Sequence, residues 1–254
     1  MIGRLTLTVT LALVPILLIL RYFHTRDVHP EPRRVLRVTF ALGVASVIPA
    51  ILLEFLSGWP ELPFPSVMLA ALYTAFLGAA IPEEALKLAV VRGYCARQSS
   101  FDEPMDGVVY GVTAALGFAA LENVFFVWRA GWTTAVLRAF TAVPLHAATG
   151  AMIGHAVAQA RFDLSGRSAI FRGFLGAVVV HGLYDFGLIA IALRADLPEA
   201  PGDETNSLVA LCLMLLVFAV LIGSIRWVLR TTRRLRAQQL EEESADEIAP
   251  ESSD

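Results

Sequence analysis

The sequence predicts an all-α, polytopic membrane protein with about seven transmembrane helices. Of its 254 residues, 56% are apolar and 17% charged, and mean hydropathy is +0.64. An ordinary soluble domain is about 45–50% apolar and about 25% charged, so a water-facing surface of this composition would be adhesive. Apolar residues gather into seven stretches, each close to the roughly 20 residues that cross a bilayer core about 30 Å thick. Charges collect in the connections between them.

The stretches run over 5–20, 38–56, 67–91, 108–128, 139–160, 171–193 and 208–229. Arg21-Tyr22-Phe23-His24 follows the first where a signal peptide would carry small residues before its cleavage point, so a retained span is expected. Connections such as Gly58-Trp59-Pro60-Glu61-Leu62-Pro63 and Pro198-Glu199-Ala200-Pro201-Gly202-Asp203 punctuate the spans with turn formers. No internal repeat and no separate soluble domain are visible. Fifteen arginines fall on one side of the implied membrane, in the first, third and fifth connections and after the last span. Four, Arg4, Arg129, Arg138 and Arg194, fall on the other. The positive-inside rule then places the N-terminus outside and the C-terminus in the cytoplasm, with Trp59, Trp128 and Trp132 as an outer aromatic belt. Heavy Arg usage and the lack of a eukaryotic targeting signal favour a bacterial inner membrane. Residues 1–230 read as one membrane domain. Residues 231–254 read as a basic, then acidic, disordered cytoplasmic tail, the last fourteen residues carrying seven acids and no base.

Composition also closes several routes. Two cysteines, Cys95 and Cys212, cannot staple a scaffold or build a Cys-rich zinc module. Lys87 is the single lysine, which argues against nucleic acid as a partner. A retinal-type receptor is excluded by the same count, because the last span has no lysine for a Schiff base.

An ionised side chain at the bilayer centre costs about 2.5–3.5 kcal/mol even on lenient insertion scales. This chain nevertheless places Glu83, Glu84 and Lys87 in the third stretch, Glu122 and Asn123 in the fourth, His146 in the fifth, and His181 and Asp185 in the sixth. Glu83 and Lys87 are one turn apart in the favourable order, with Glu84 about 100° away around the helix. This spacing admits a structural Glu83–Lys87 pair that frees Glu84 to react, or an interfacial patch of all three. His146 begins a His-x-x-x-Gly150-x-x-x-Gly154 face that lets a neighbouring helix approach closely. His155 lies on the opposite side of that helix. His181 and Asp185 share a face, so the carboxylate can orient the imidazole. The histidines lie at similar depth, whereas Glu84 and Glu122 are offset by roughly 10 Å for straight helices. Convergence therefore requires tilt or a bend.

Glu83-Glu84-x-x-Lys87, Phe118-x-x-x-Glu122-Asn123, His146-x-x-x-Gly150 and His181-Gly182-Leu183-x-Asp185 occur in the order found in the PrsW family of intramembrane proteases. The chain resembles that family across residues 83–185, and the family is distantly similar to the CAAX prenyl proteases of the Abi superfamily. Members often carry Tyr three residues after the Asn, where this chain has Phe126; Tyr184 or Tyr110 would have to supply any hydroxyl needed. The resemblance implies hydrolysis of peptide bonds in membrane-anchored proteins, anti-sigma factors among them.

The residues suit that chemistry. Amide hydrolysis needs an activated water, support for an oxyanion and a proton for the leaving amine. No serine or cysteine stands beside a base. In one version Glu122, His146 and His181 bind zinc or another divalent metal, and Glu84 or Glu83 is the base. In a metal-free version a Glu–His pair activates water and Asn123 holds the oxyanion. The rival class is a proton-coupled transporter or channel built on the same acids and imidazoles.

Overall fold

A computed structural model describes residues 2–56, 64–162, 168–195 and 205–248. Trp59, Arg167 and the connection at 198–203 lie outside the described residues. All regular structure among them is helical: α1 (Ile2–His24), α2 (Arg33–Leu56), α3 (Val67–Tyr73), a π-helical segment (Thr74–Ala80), α4 (Ile81–Gly93), α5 (Pro104–Ala130), α6 (Trp132–Phe140), α7 (Ala142–Arg161), α8 (Ser168–Ala195) and α9 (Thr205–Ile248), with a 3₁₀ turn at Cys95–Arg97. Six segments are long and apolar enough to cross a membrane, and Ala12–His24 in α1 forms a shorter apolar helix. Large apolar side chains such as Leu18, Ile48, Phe55, Leu137 and Phe171 remain exposed, as expected of a lipid-facing surface.

The axis of the bundle is α5, buried almost continuously from Met105 to Ala120. Its sequence explains that position, because glycines let two neighbours reach its backbone. A Cβ on Gly107 or Gly111 would collide with the carbonyls of Gly154 or Gly150 on α7, and one on Gly117 with the Phe40 carbonyl on α2. Where lipid removes the hydrophobic drive between helices, such close packing is what holds them together. Pro104 opens α5, and Glu103 with Asp106 forms a reciprocal capping box. The helix ends at Gly131, whose φ of +83° suits a residue without a Cβ. The chain turns there into α6, and a break at Thr141 separates α6 from α7, so the fifth apolar stretch is two helices.

The third stretch carries the bend that convergence requires. Pro82 has no N–H to offer the preceding turn, and the backbone widens ahead of it. Ile81 N–H bonds to the Phe76 carbonyl five residues back. The wide turn rotates Glu83, Glu84 and Lys87 relative to α3, and Phe76 within it packs on Gly182, next to His181.

The tail is described only as far as Ile248, residues 249–254 lying outside the described residues. α9 stays helical to Ile248, and Leu213, Val217, Leu221, Ser224, Val228, Thr232, Leu235 and Gln239 form one buried stripe at spacings of three and four. Apolar periodicity thus continues through the basic stretch and holds the helix against the bundle as far as Gln239.

Candidate active site

α4, α5, α7 and α8 bring Glu83, Glu84, Lys87, Glu122, Asn123, His146, His181 and Asp185 into one cluster, and α6 adds a cation. Glu84 is fully buried at the start of α4. Its Oε1 accepts from Lys87 Nζ at 2.8 Å, His181 Nδ1 at 2.7 Å and Thr149 Oγ1 at 3.2 Å. Its Oε2 is buried without a partner. Lys87 Nζ also lies 2.9 Å from His146 Nδ1, 3.5 Å from Glu83 Oε2 and 4.6 Å from the centre of the Phe118 ring. Lysine therefore pairs most closely with Glu84, reversing the partner that one-turn spacing favours, and Glu83 is left the freer carboxylate.

Hydrogen-bond chemistry fixes the His146 tautomer. An ammonium can only donate, so Nδ1 accepts from Lys87 and Nε2–H donates to Glu122 Oε2 at 2.8 Å. Arg138 on α6 pairs with the same oxygen at 2.8 Å, and its Nε donates to Asn123 Oδ1 at 2.5 Å. Its guanidinium covers the Phe126 ring at 4.1 Å. Asn123 Nδ2 donates to the Ala12 carbonyl at 3.4 Å, so this amide ties α1, α5 and α6 together. His181 lies between acids: Glu84 at Nδ1, Asp185 Oδ2 at 3.2 Å from Nε2, and Glu83 Oε2 at 3.9 Å from Nε2. The two imidazoles meet edge to face with centroids 5.3 Å apart.

The sequence pointed to Glu122 with the two histidines as the metal set. Among the described residues, the donors from this cluster that approach within 4.8 Å of one another come instead from Glu83, His146 and His181. Arg138 and Thr149 join the site without having been expected there. The sequence puts Arg138 in an outer connection, although a lone arginine between Val136-Leu137 and Ala139-Phe140 is itself a polar intrusion into an apolar run. Tyr110 is not at the site, because its hydroxyl bonds to Ser100 and Glu31. His155 packs against Trp227 away from the cluster, as its helical position implied.

Burial is graded across the cluster. Side chains of Glu84, Lys87, His146 and His181 are at most 4% exposed, whereas Glu83, Glu122 and Asp185 are 14%, 19% and 23% exposed. Four carboxylates face two fixed cations, Lys87 and Arg138, so these six groups sum to two negative charges with neutral imidazoles. A divalent cation or protons must balance them. A His₂Glu donor set with that deficit suits a zinc-like ion, which would have to displace Lys87 Nζ from His146 Nδ1, since Nε2–H of that ring is committed to Glu122.

The family described as PrsW family intramembrane metalloprotease matches residues 31–224. Similar curated proteins include Protease PrsW of Geobacillus kaustophilus, 32% identical over 72% of this chain and 80% of its own. Protease PrsW of Bacillus subtilis is 31% identical over 72% and 84%, and that of Clostridioides difficile 27% identical over 70% and 78%. No solved structure matches the chain. The clustered acids and imidazoles on successive apolar helices accord with these matches, and the chain belongs to the PrsW family of intramembrane metalloproteases.

Proposed function

We propose that this membrane protease hydrolyses peptide bonds at the Glu83–Glu84–His146–His181 cluster, with Glu83, His146 and His181 as the residues that hold a divalent metal. The observation that supports this is the approach of those three donors within 4.8 Å of one another, in a site two positive charges short of balance. Such an ion would supply Lewis acidity to the scissile carbonyl and acidity to a water. Glu84 keeps one unpartnered oxygen, Oε2, to accept a proton from water and return it to the leaving amine. Lys87, Thr149 and His181 hold its other oxygen, which fixes the carboxylate for the transfer. Glu122, backed by Arg138, sets the His146 tautomer. His181 donates Nδ1–H to Glu84, which leaves Nε2 as the nitrogen that would hold the ion, with Asp185 beside it. Asn123 is held by Arg138 at Oδ1 and by one N–H to the Ala12 carbonyl, which leaves its second N–H for an oxyanion.

The substrate side follows from where the cluster opens. Partly exposed Glu83, Glu122 and Asp185 face a peptide arriving along the membrane-spanning segments, which suits single-span proteins such as anti-sigma factors. Residues 1–230 form the protease unit. The connection at residues 25–32, the 3₁₀ turn, Arg161 and the end of α9 meet at one face of the bundle: Arg161 donates to the Ala96 carbonyl, and Gln239 donates to Asp27 and Glu103. The arginines of that face favour the cytoplasmic side of a bacterial inner membrane, with the N-terminus outside.

The test is cleavage of a single-span substrate in liposomes by purified protein of measured metal content. Loss of cleavage in E84Q and H181A variants that still insert, with metal in wild type but not in H181A, is expected. Near-normal turnover by H181A overturns the site, and full activity without metal overturns the metal.

A further inference from the structure

A second cluster of buried acids lies at the opposite end of α5 from Glu122. Asp106 is in the first turn of that helix, sixteen residues and about 24 Å from Glu122 along the axis. Asp27 and Glu31 come from the connection between α1 and α2. All three side chains are buried, Asp106 completely and Asp27 and Glu31 at 6% and 8% exposure, and one carboxylate oxygen from each lies within 4.8 Å of the others.

Most of their acceptor capacity has an evident use. Asp106 Oδ2 accepts from the backbone N–H groups of Asp102 at 2.9 Å and Glu103 at 2.8 Å, as helix capping requires. Asp27 Oδ1 accepts from Gln239 Nε2 at 2.8 Å and His29 N–H at 3.2 Å. Glu31 Oε2 accepts from the Tyr110 hydroxyl. Asp106 Oδ1 and Asp27 Oδ2 are left buried with no donor at all. Among the described residues, no lysine or arginine makes an ion pair with any of the three acids. Burying an acceptor without a donor costs on the order of 1–3 kcal/mol, and more for a charged one. Three buried carboxylates this close, two of them with an oxygen lacking a donor, need positive charge between them, from a cation or from shared protons.

We infer that Asp27, Glu31 and Asp106 form a binding site for a hard divalent cation of the calcium, magnesium or manganese class, separate from the proteolytic centre. The donor set is all oxygen, which suits these ions, whereas the imidazole-containing centre suits zinc. The ion would fasten the α1–α2 connection to the start of α5. Gln239 extends that clamp to α9, because its amide donates both to Asp27 and to Glu103 Oε1 at 2.7 Å. The cytoplasmic end of the bundle would then be locked by the cation rather than by apolar contact alone.

The experiment is calcium titration of full-length protein in lipid nanodiscs, repeated with magnesium and manganese, read by calorimetry and thermal unfolding. Wild type and H181A are expected to bind one ion alike and to unfold at higher temperature when it is bound. D27N keeps an oxygen for Gln239 and His29 but loses a charge, and E31Q does likewise for Tyr110; each is expected to bind about tenfold or more weakly. Tyr110 beside Glu31 should sensitise terbium luminescence at the site, and Y110F should abolish that signal while calcium still raises the unfolding temperature. Absence of binding by folded wild type at millimolar calcium, magnesium and manganese overturns the site. So does D27N or E31Q that unfolds at higher temperature than wild type with no cation response, the result expected if the acids only share protons.

Discussion

Replacing Lys87 by Met removes one charge and little volume, so it isolates what the ammonium does. The aliphatic stem still covers Phe118, while Glu84, with no exposure of its own, loses its 2.8 Å partner. His181 and Thr149 still donate to Oε1, but the six fixed charges of the site move from two negative to three. Breaking a buried pair by removing one member costs about 3–5 kcal/mol, because the remaining charge is uncompensated. That should lower the unfolding temperature by on the order of 10 °C for a protein of this size. The second arm of the cycle is E84Q, after which Lys87 still has Glu83 at 3.5 Å and His146 at 2.9 Å, so its loss should be smaller. The E84Q/K87M double variant removes both members and should be more stable than the sum of the single losses by about 2–3 kcal/mol. Thermal unfolding of the four proteins in one micelle or nanodisc preparation reads all the terms. If K87M stays within about 1 kcal/mol of wild type, or if the two losses simply add, the ion pair is not what holds Glu84 in the membrane.

R138L should leave the fold intact but free Glu122 and Asn123, and, if His146 holds the proposed ion, lower cleavage by about 10–100-fold through loss of its outer partner; R138K should recover part of it. G154V should fail to assemble, because its first side-chain carbon already collides with the Gly107 carbonyl, and strain well beyond the usual 1–3 kcal/mol of overpacking should appear as lost thermal stability. H155A, packed on Trp227 away from the cluster, should cleave at close to the wild-type rate. The carboxylate of Glu103 holds the exposed His29 imidazole above its ordinary value. A raised histidine stabilises the fold below about pH 6.5 and loses that contribution as pH rises through its folded value. The small difference in unfolding temperature between wild type and H29Q should therefore be largest near about pH 6 and vanish in alkali.

The fold class and the identity of the clustered residues were legible because lipid makes both signals strong. An apolar run of span length has few places to go but a bilayer, and a charge inside one must be answered. Partners were less legible. Spacing put Lys87 on the face of Glu83, yet the π segment before Pro82 turns α4 so that Glu84 and His146 take the ammonium, and no local pattern announces that rotation. Arg138 was hidden by the break at Thr141, which converts part of one apolar stretch into a separate helix whose guanidinium reaches Glu122. In the tail, the density of charge masks the continuing stripe of Leu235 and Gln239 that keeps α9 helical. Sequence shows that charges need partners in lipid; backbone irregularities decide which partners they get.

Those irregularities and the glycine seams serve the same end. α5 and α7 approach through Gly107, Gly111, Gly150 and Gly154, and that contact sets the depth at which Glu122 and His146 meet at 2.8 Å. α4 reaches the same depth only because its preceding turn is wide, and α8 is held there by Phe76 against Gly182. Each polar residue is thus placed by close backbone packing at a neighbouring glycine or by a proline-linked bend. Burial of large apolar side chains does little of this work, since many remain exposed on the outside of the bundle. The arrangement is economical for a hydrolase in a bilayer. Small-residue seams are rigid and close, so acids and imidazoles from four helices can share protons without a water-filled interior. The remaining exposure of Glu83, Glu122 and Asp185 makes these three carboxylates the points at which water can reach the cluster.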